Sequence, residues 1–514
     1  MKEVDQERFE NLLAWGKLYG AALHPALEIY KDDITGFSMR AKSSPTSTIP
    51  TIKPGDEVLT CPLQVSLSYL NATTGGPILS RPAERAEPCP AFPERFMKLE
   101  PHVIGRFYLM KQYLMGKTSF WSSYIATLPQ PDVISSWSLP PFWPDDDLEF
   151  LDGTNTGIAA EEIQANVKKE YKEARKILKE DGFENWQDYT RPLYNWAFSI
   201  FASRSFRPSL VIPRSVQELE LPKGIRVDDF SILLPIYDII NHNIKANVRW
   251  LVDNNSNAAA SCRLQTLDEY KPGEQVFNTY GKKTNSELLL SYGFVLQDSE
   301  TFHNDYFHLR RRADPSLGES EDERGEPTAG KRKPHDFLVS LRPMNHPSSF
   351  VGQNRNWVAK DPDFDIRSEF GHVEDNLVWD LCLAIVGGED GKEAFINELL
   401  GTTGQEPPSA LDQLRERDQN ALRQILTASA ELSAAAVRVV SQVKEMLLAK
   451  LGMEYDKVCQ TDPGAGVDEE GNEVVVEVEP QTVNQEVALR HRQQVMAVLE
   501  NAIAALVPDW KGDA

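Results

Sequence analysis

Apolar positions recur along this chain with two periods, one helical and one alternating, and the switches between them mark its elements. Phe9, Leu12, Leu13 and Leu18 fall near helical spacing, so residues 5–24 read as an amphipathic helix. ALEIYKDDITGFSMRAK then predicts a strand, a Gly-containing turn and a second strand. SSPTSTIP is loop, and KPGDEVLTCPLQVSL reads as a turn followed by a strand. Residues 77–100, rich in Pro and charge, predict an irregular connection. The helical period returns over 101–220 in FYLMKQYLMG, EEIQANVKKEYKEARKILKEDG and PLYNWAFSIFASRSF. β character follows in FSILLPIYDII, VRWLVD, SCRLQTL and EQVFNTYG. LDEYKPGEQV repeats the grammar of TIPTIKPGDEV, Lys-Pro-Gly-acid before a β-branched run. Short strands between turn signals favour a small irregular β core over alternating βαβ units.

Residues 313–335 are polar and rich in Gly and Pro, and read as a disordered linker. Beyond 336 the pattern is helical: ALDQLRERDQNALRQILTASAELSAAAVRVVSQVKEMLLAKLG predicts one or two long helices and VNQEVALRHRQQVMAVLENAIAAL another. Between them VDEEGNEVVVEVEP, without Lys or Arg, reads as a solvent-exposed excursion. The predicted order is therefore a β-rich part over 1–100, a helical insertion over 101–225, a second β-rich part over 226–312, the linker, and a helical domain over 336–514. The fold class is α+β.

Composition adds one strong constraint. The 514 residues are 41% hydrophobic and 25% charged, as expected of a soluble globular chain of two or more domains, but the net charge is −23. An acidic excess of that size repels phosphates, so no nucleic-acid partner is expected; it fits a basic protein, and it is also a common route to solubility. Cys61, Cys89, Cys262, Cys382 and Cys459 are scattered without a CxxC pair, which argues against a zinc site or a disulfide framework and for a reducing compartment. MKEVDQERFENLLAW lacks an apolar signal core and no segment approaches a membrane span. The expectation is a monomer in the cytoplasm or nucleus.

The candidate chemistry lies in LLPIYDIINHNIKANVRWLVD and GEQVFNTYGKKTNSELLLSYGF. Each piece alone has a plain structural explanation: Asn241–His242 could end a strand with a hydrogen-bonded histidine, and Tyr280 could be an aromatic at a strand end. Together, Asp238-Ile-Ile-Asn241-His242, Tyr280-Gly281, an Asn-x-x-Leu-Leu and Tyr292-Gly-Phe294 resemble the C-terminal half of the SET domain. The likeness is to the class typified by the Rubisco large-subunit lysine methyltransferase, which includes ribosomal-protein lysine methyltransferases. It extends upstream to LYNWAFSIFASRSF with its Ser-Arg-x-Phe end, to SFWSSYIATLP and WPDDDLEFLDGTN, and to ITGFSMRA, covering residues 10–310.

This resemblance implies a SET core with its pseudoknot, a threaded arrangement rare among proteins, and a helical C-terminal substrate-binding domain. It implies S-adenosylmethionine as cofactor, no metal, and methyl transfer to a lysine on a non-histone protein such as a ribosomal protein or translation factor. Thr35, Gly36 and Phe37 would form the cofactor turn, with Asp238, Asn241 and His242 also contacting the cofactor. Arg204 would meet its methionyl carboxylate, and Phe294 would pack on the adenine. Tyr280 would be the catalytic residue, orienting methyl and amine; with an ordinary pKa of about 10 it is a poor base at neutral pH. Phe206, Tyr237 and Tyr292 would wall the lysine channel. The family turn reads Glu-Gly-x-Gly where this chain has Thr35-Gly36-Phe37-Ser38. A serine holding a glycine's positive φ would be strained.

Two other readings of the same fold stay open, an inactive scaffold and a protein-histidine methyltransferase. A Rossmann-type enzyme would need GxGxxG, which the chain lacks. The acceptors differ in what they ask of a pocket. Lysine needs an apolar sleeve, whereas imidazole has a second nitrogen that costs about 1–3 kcal/mol if buried without a partner. Phe206, two residues beyond Arg204, offers no such partner, although Tyr237 and Tyr292 still have hydroxyls to offer.

Overall fold

The computed structural model describes residues 3–32, 35–43, 51–80, 91–132, 139–252, 260–311, 335–356, 361, 363–402, 408, 410–467, 473–475 and 478–510. The predicted linker, 313–335, lies outside the described residues except for its last position. The chain divides into two compact units, Met1–Phe142 with Glu161–Lys282, and Trp143–Ala160 with Lys283–Ala514.

Among its described residues the first unit begins with helix Glu3–Leu18 and holds ten short strands: β1 Ala22–Leu23, β2 Leu27–Asp32, β3 Gly36–Ala41, β4 Glu57–Pro62, β5 Leu67–Ser68, β6 Ser205–Phe206, β7 Ile232–Leu233, β8 Val248–Val252, β9 Ser261–Thr266 and β10 Gln275–Val276. They form three antiparallel sheets, ordered β1-β4-β9-β8, β10-β3-β2 and β5-β7-β6. Each sheet pairs a strand from before residue 100 with one from after residue 226, so the two β-rich stretches build one core across the helical residues between them. The helices Pro101–Leu114 and Arg191–Arg204 pack into that core. The second starts where Thr190 accepts from the Leu193 N–H and Pro192 occupies the first turn, where its missing donor costs nothing.

The two Lys-Pro-Gly-acid segments adopt the same turn. Gly55 and Gly273 have φ of +96° and +88°. The following acid closes each turn, Asp56 accepting from the Lys53 N–H and Glu274 from the Lys271 N–H, both at 2.8 Å. The turns lie side by side, joined by the Ile52–Tyr270 bridge. The apolar run 230–240 is less regular than its composition predicts. Only Ile232–Leu233 is strand, and a 3-10 turn over Tyr237–Ile239 follows. Ile236 stands before that turn at φ +72°, a costly conformation for a β-branched side chain and one concentrated at functional sites.

The second unit is mainly helical: Asp375–Val386, Gly388–Leu400, Leu411–Leu426, Ala434–Gln460 and Val483–Leu506 surround a core that includes Phe370, Val378, Leu422, Val443 and Leu499. A hairpin of β11 Tyr306–Arg311 and β12 His335–Ser340 joins them. The long pattern over 410–452 is two helices, broken at 427–433. Of the acidic excursion, Val467 and Glu473–Val475 lie in a pair of short strands, Ala465–Val467 with Glu473–Val475, residues 478–480 follow outside regular structure, and 468–472 and 476–477 lie outside the described residues.

The unit boundary differs from the composition boundaries at two places. Residues 143–160, read with the helical insertion, and 283–312, read with the second β-rich part, group with the C-terminal helices. The first assignment has a local cause. The Asp147 carboxylate accepts from Thr482 and Asn484 at 2.8 Å, placing an anion at the N-terminus of Val483–Leu506. Arg492 on that helix donates to the Asp152 carbonyl at 2.7 Å.

Candidate active site

Four of the candidate residues line one cleft of the first unit, of about 490 Å³: Gly36, Phe37, Arg204 and Asp238. That size suits a nucleotide-sized ligand. Gly36, at φ +68°, starts β3, and a Cβ built there would meet nothing within 4 Å, so glycine serves the backbone conformation rather than space. Ser38 is different. It is fully buried in extended strand opposite Tyr30 and its φ is negative, so the strain expected at this position is absent. Its hydroxyl donates to Gln275 Oε1 at 3.1 Å.

Gln275 is the hub that joins the turn to the Asn241 segment. Its Oε1 also accepts from Asn241 Nδ2 at 3.1 Å, and its Nε2 donates to the Thr35 hydroxyl at 3.5 Å and to the Tyr30 hydroxyl. Asn241 and Asn243 pair with Asn278 through backbone bonds of 2.9 Å, and His242 bridges Asn278 in parallel. This brings Tyr280 over His242. Their rings stack at 5.1 Å, the Tyr280 N–H donates to His242 Nδ1 at 3.0 Å, and the Tyr280 hydroxyl donates to the Ile240 carbonyl at 3.0 Å. Because Nδ1 accepts, the neutral His242 ring carries its proton on Nε2.

Asp238 is the charge centre of the cleft. Its Oδ2 accepts from the Tyr124 hydroxyl at 2.9 Å and from Arg204 Nη1 at 3.3 Å, and the same Nη1 reaches its backbone carbonyl at 3.3 Å. Burial raises the Asp238 carboxyl above the usual aspartate range, against the pull of Arg204 and of the Tyr124 bond. Beside this centre, Phe206 packs edge-on to Tyr237 at 5.2 Å and to Trp250 at 5.4 Å, an apolar aromatic trio. Burial lifts the Tyr237 phenol well above its ordinary value, with the Cys262 thiol beside it. Trp250 Nε1 donates to Asn278 Oδ1, which also accepts from the Thr279 N–H, at 2.9 and 2.8 Å.

No protein-family model matches the chain. It is 28% identical over 292 residues to the ribosomal lysine N-methyltransferase set10 of Schizosaccharomyces pombe, covering 56% of this chain and 46% of that protein. It is 22% identical over 301 residues to the human actin-histidine N-methyltransferase, covering 57% and 43%. The chain thus spans about half the length of the curated relatives it matches. The structure of the SET domain of LSMT bound to lysine and AdoHcy matches with a TM-score of 0.59 at 16% identity, over 98% of this chain and 91% of that one. Rubisco LSMT bound to AdoMet matches at 0.57 and 16% identity, over 98% and 92%. The chain has the fold of these LSMT SET-domain structures.

Within this SET fold, Tyr292 and Phe294 belong to the second unit, where their rings are 6.3 Å apart at the end of helix Asn285–Tyr292. Phe9 and Gln130, outside any quoted motif, also line the cleft, as does Thr127 from SFWSSYIATLP. Tyr124 lies in SFWSSYIATLP, Gln275 in GEQVFNTYG and Trp250 in VRWLVD, but none of the three was itself a candidate; it is the fold that brings them to Asp238, Asn241 and Phe206. Among the described residues no group of three or more His, Cys, Asp or Glu side chains could hold a metal ion, and no helix is long and apolar enough to cross a membrane.

Proposed function

We propose that this chain is a protein-lysine N-methyltransferase that uses S-adenosylmethionine and acts on a basic protein, of which ribosomal proteins are the leading class. The observation that carries the reading is the cleft in which the Gly36–Phe37 turn, Arg204 and Asp238 meet beside the His242–Tyr280 stack. The cofactor supplies a methyl group on a sulfonium. Arg204 suits its carboxylate, because Nη1 is the guanidinium nitrogen engaged by Asp238 and a guanidinium has five donors. Gly36 gives the turn its positive φ, and Thr35 and Asn241 are held in register by Gln275. Tyr280, tied at both its N–H and its hydroxyl, positions the acceptor amine in line with the methyl; such alignment contributes about 7–11 kcal/mol. The Phe206–Tyr237–Trp250 trio favours an uncharged amine, since apolar surroundings lower an ammonium pKa.

The same trio favours lysine over histidine. Phe206 offers an imidazole no hydrogen bond, and Tyr237 is fully buried with its hydroxyl beside Cys262. Titration calorimetry with AdoMet tests the cofactor: the wild type binds, and Asn241→Ala binds at least about tenfold more weakly, the loss of one good polar contact. Radiolabelled AdoMet with a proteome then tests the acceptor, and mass spectrometry of the labelled peptide shows methyl-lysine. Methylhistidine would overturn the acceptor, and absence of AdoMet binding would overturn the enzyme.

A further inference from the structure

The part of helix Asn155–Glu180 that lies in the first unit presents a feature the methyltransferase reading does not use. Lys168, Lys172, Lys176 and Lys179 follow one another by four, four and three residues and so lie on one face, with Arg175 among them. All four lysines are exposed, Lys176 by 73% of its side chain. They cover about 16 Å of helix. The acids Glu173 and Glu180 lie round the helix from this face. Glu180 is engaged by Arg95 at 3.1 Å and, more loosely, by Lys176 at 3.7 Å. Lys168 and Lys172 have no ion-pair or hydrogen-bond partner among the described residues. At the end of the stripe stands Trp186, half-buried, with the Arg175 guanidinium 4.5 Å and the Lys179 ammonium 5.5 Å from its ring.

The net charge of −23 argues against a nucleic-acid partner only if it is spread over the chain. It is not. The first unit has 31 Lys and Arg against 31 Asp and Glu, and the second 23 against 46, together the 54 and 77 of the whole. The cationic stripe therefore stands on a neutral unit. We propose that this helix face binds the backbone of single-stranded RNA, with Trp186 as a stacking platform for a base. A row of ammonium groups tracks phosphates, and an aromatic ring flanked by cations is the second half of a single-strand site. A purely acidic protein would use the lysines without the ring.

The site is independent of the methyltransferase reading and is tested without catalysis. Fluorescence anisotropy follows a labelled oligouridine of about 20 nucleotides binding to the full chain. Four phosphate contacts predict a slope of log K on log salt of about −3. Reversing Lys168, Lys172, Lys176 and Lys179 to Glu weakens binding at least about tenfold and flattens that slope. Trp186→Ala weakens it about tenfold with the slope kept. Reversal of Lys42, Lys53, Lys245 and Lys271 leaves binding unchanged. Circular dichroism and a thermal midpoint equal to the wild type's confirm that each variant is folded. Absence of RNA binding, binding insensitive to the stripe, or stripe-dependent binding of polyglutamate that ignores Trp186 would each overturn the proposal.

Discussion

Gln275, five residues before Tyr280, shows how a residue beside the named motif positions can organise them. Its side-chain amide accepts from Ser38 and Asn241 and donates to Thr35 and Tyr30, so the β2–β3 turn and the Asn241 segment share one hydrogen-bond centre. Removing it leaves both halves present but uncoupled. Gln275→Ala should weaken AdoMet binding about tenfold, comparable to Asn241→Ala. The double variant should lose less than the product of the two effects, because the residues act through one contact. Calorimetry on the four-member cycle measures the coupling, and strict additivity would show Gln275 to be a bystander. The same network explains why Ser38 is tolerated. In β3 the backbone is extended at that position, and the hydroxyl completes the bond to Gln275 that glycine could not make.

Periodicity located the hairpin of β2 and β3, the strands β4, β8 and β9, and the C-terminal helices, because each buries one face and so writes its period into the chain. It misjudged the run 230–240, where uniform apolarity marks burial but hides the turn at Ile236. It could not show that residues 143–160 pair with helix Val483–Leu506, since Asp147 and Thr482 are far apart in sequence. The candidate residues were legible where they form motifs, as at Asp238–His242, and illegible where a lone inward side chain such as Trp250 completes the wall. Helix Val483–Leu506 carries a consequence of its own. His491 is buried against Thr156 at 2.7 Å, and burial lowers its pKa to about 4. The unfolded chain takes up that proton near 6.5, so stability from neutral His491 is full above 6.5 and lost as pH falls toward 4. The cost of His491→Gln should therefore shrink by about 2 kcal/mol between pH 7 and pH 5. Urea unfolding of both proteins at the two pH values reads the difference directly. Asp305, whose pKa burial raises to about 7, shifts with opposite sign but equally in both proteins, so it cancels.

At the scale of the whole molecule, charge is divided by unit. The entire excess of acid resides in the second, with 46 acidic against 23 basic residues, while the first is balanced. A field of that sign and size draws a basic protein and raises its encounter rate, and it does so over a distance set by salt. The screening length is about 30 Å at 0.01 M ionic strength and about 8 Å at 0.15 M. If the substrate is basic, kcat/KM should fall about tenfold between those two conditions, mostly through KM, whereas AdoMet affinity should change little because the cleft contacts are short-range. The source of the effect is separable. Asp412→Asn with Glu416→Gln removes two exposed carboxylates from helix Leu411–Leu426 and should reduce the salt dependence. Neutralising exposed Glu7 and Glu10 on helix Glu3–Leu18 should not, because they belong to the balanced unit. A substrate whose KM is indifferent to salt would show instead that the acidity of the second unit serves solubility, the general role of net charge, and has no part in choosing the protein that is methylated.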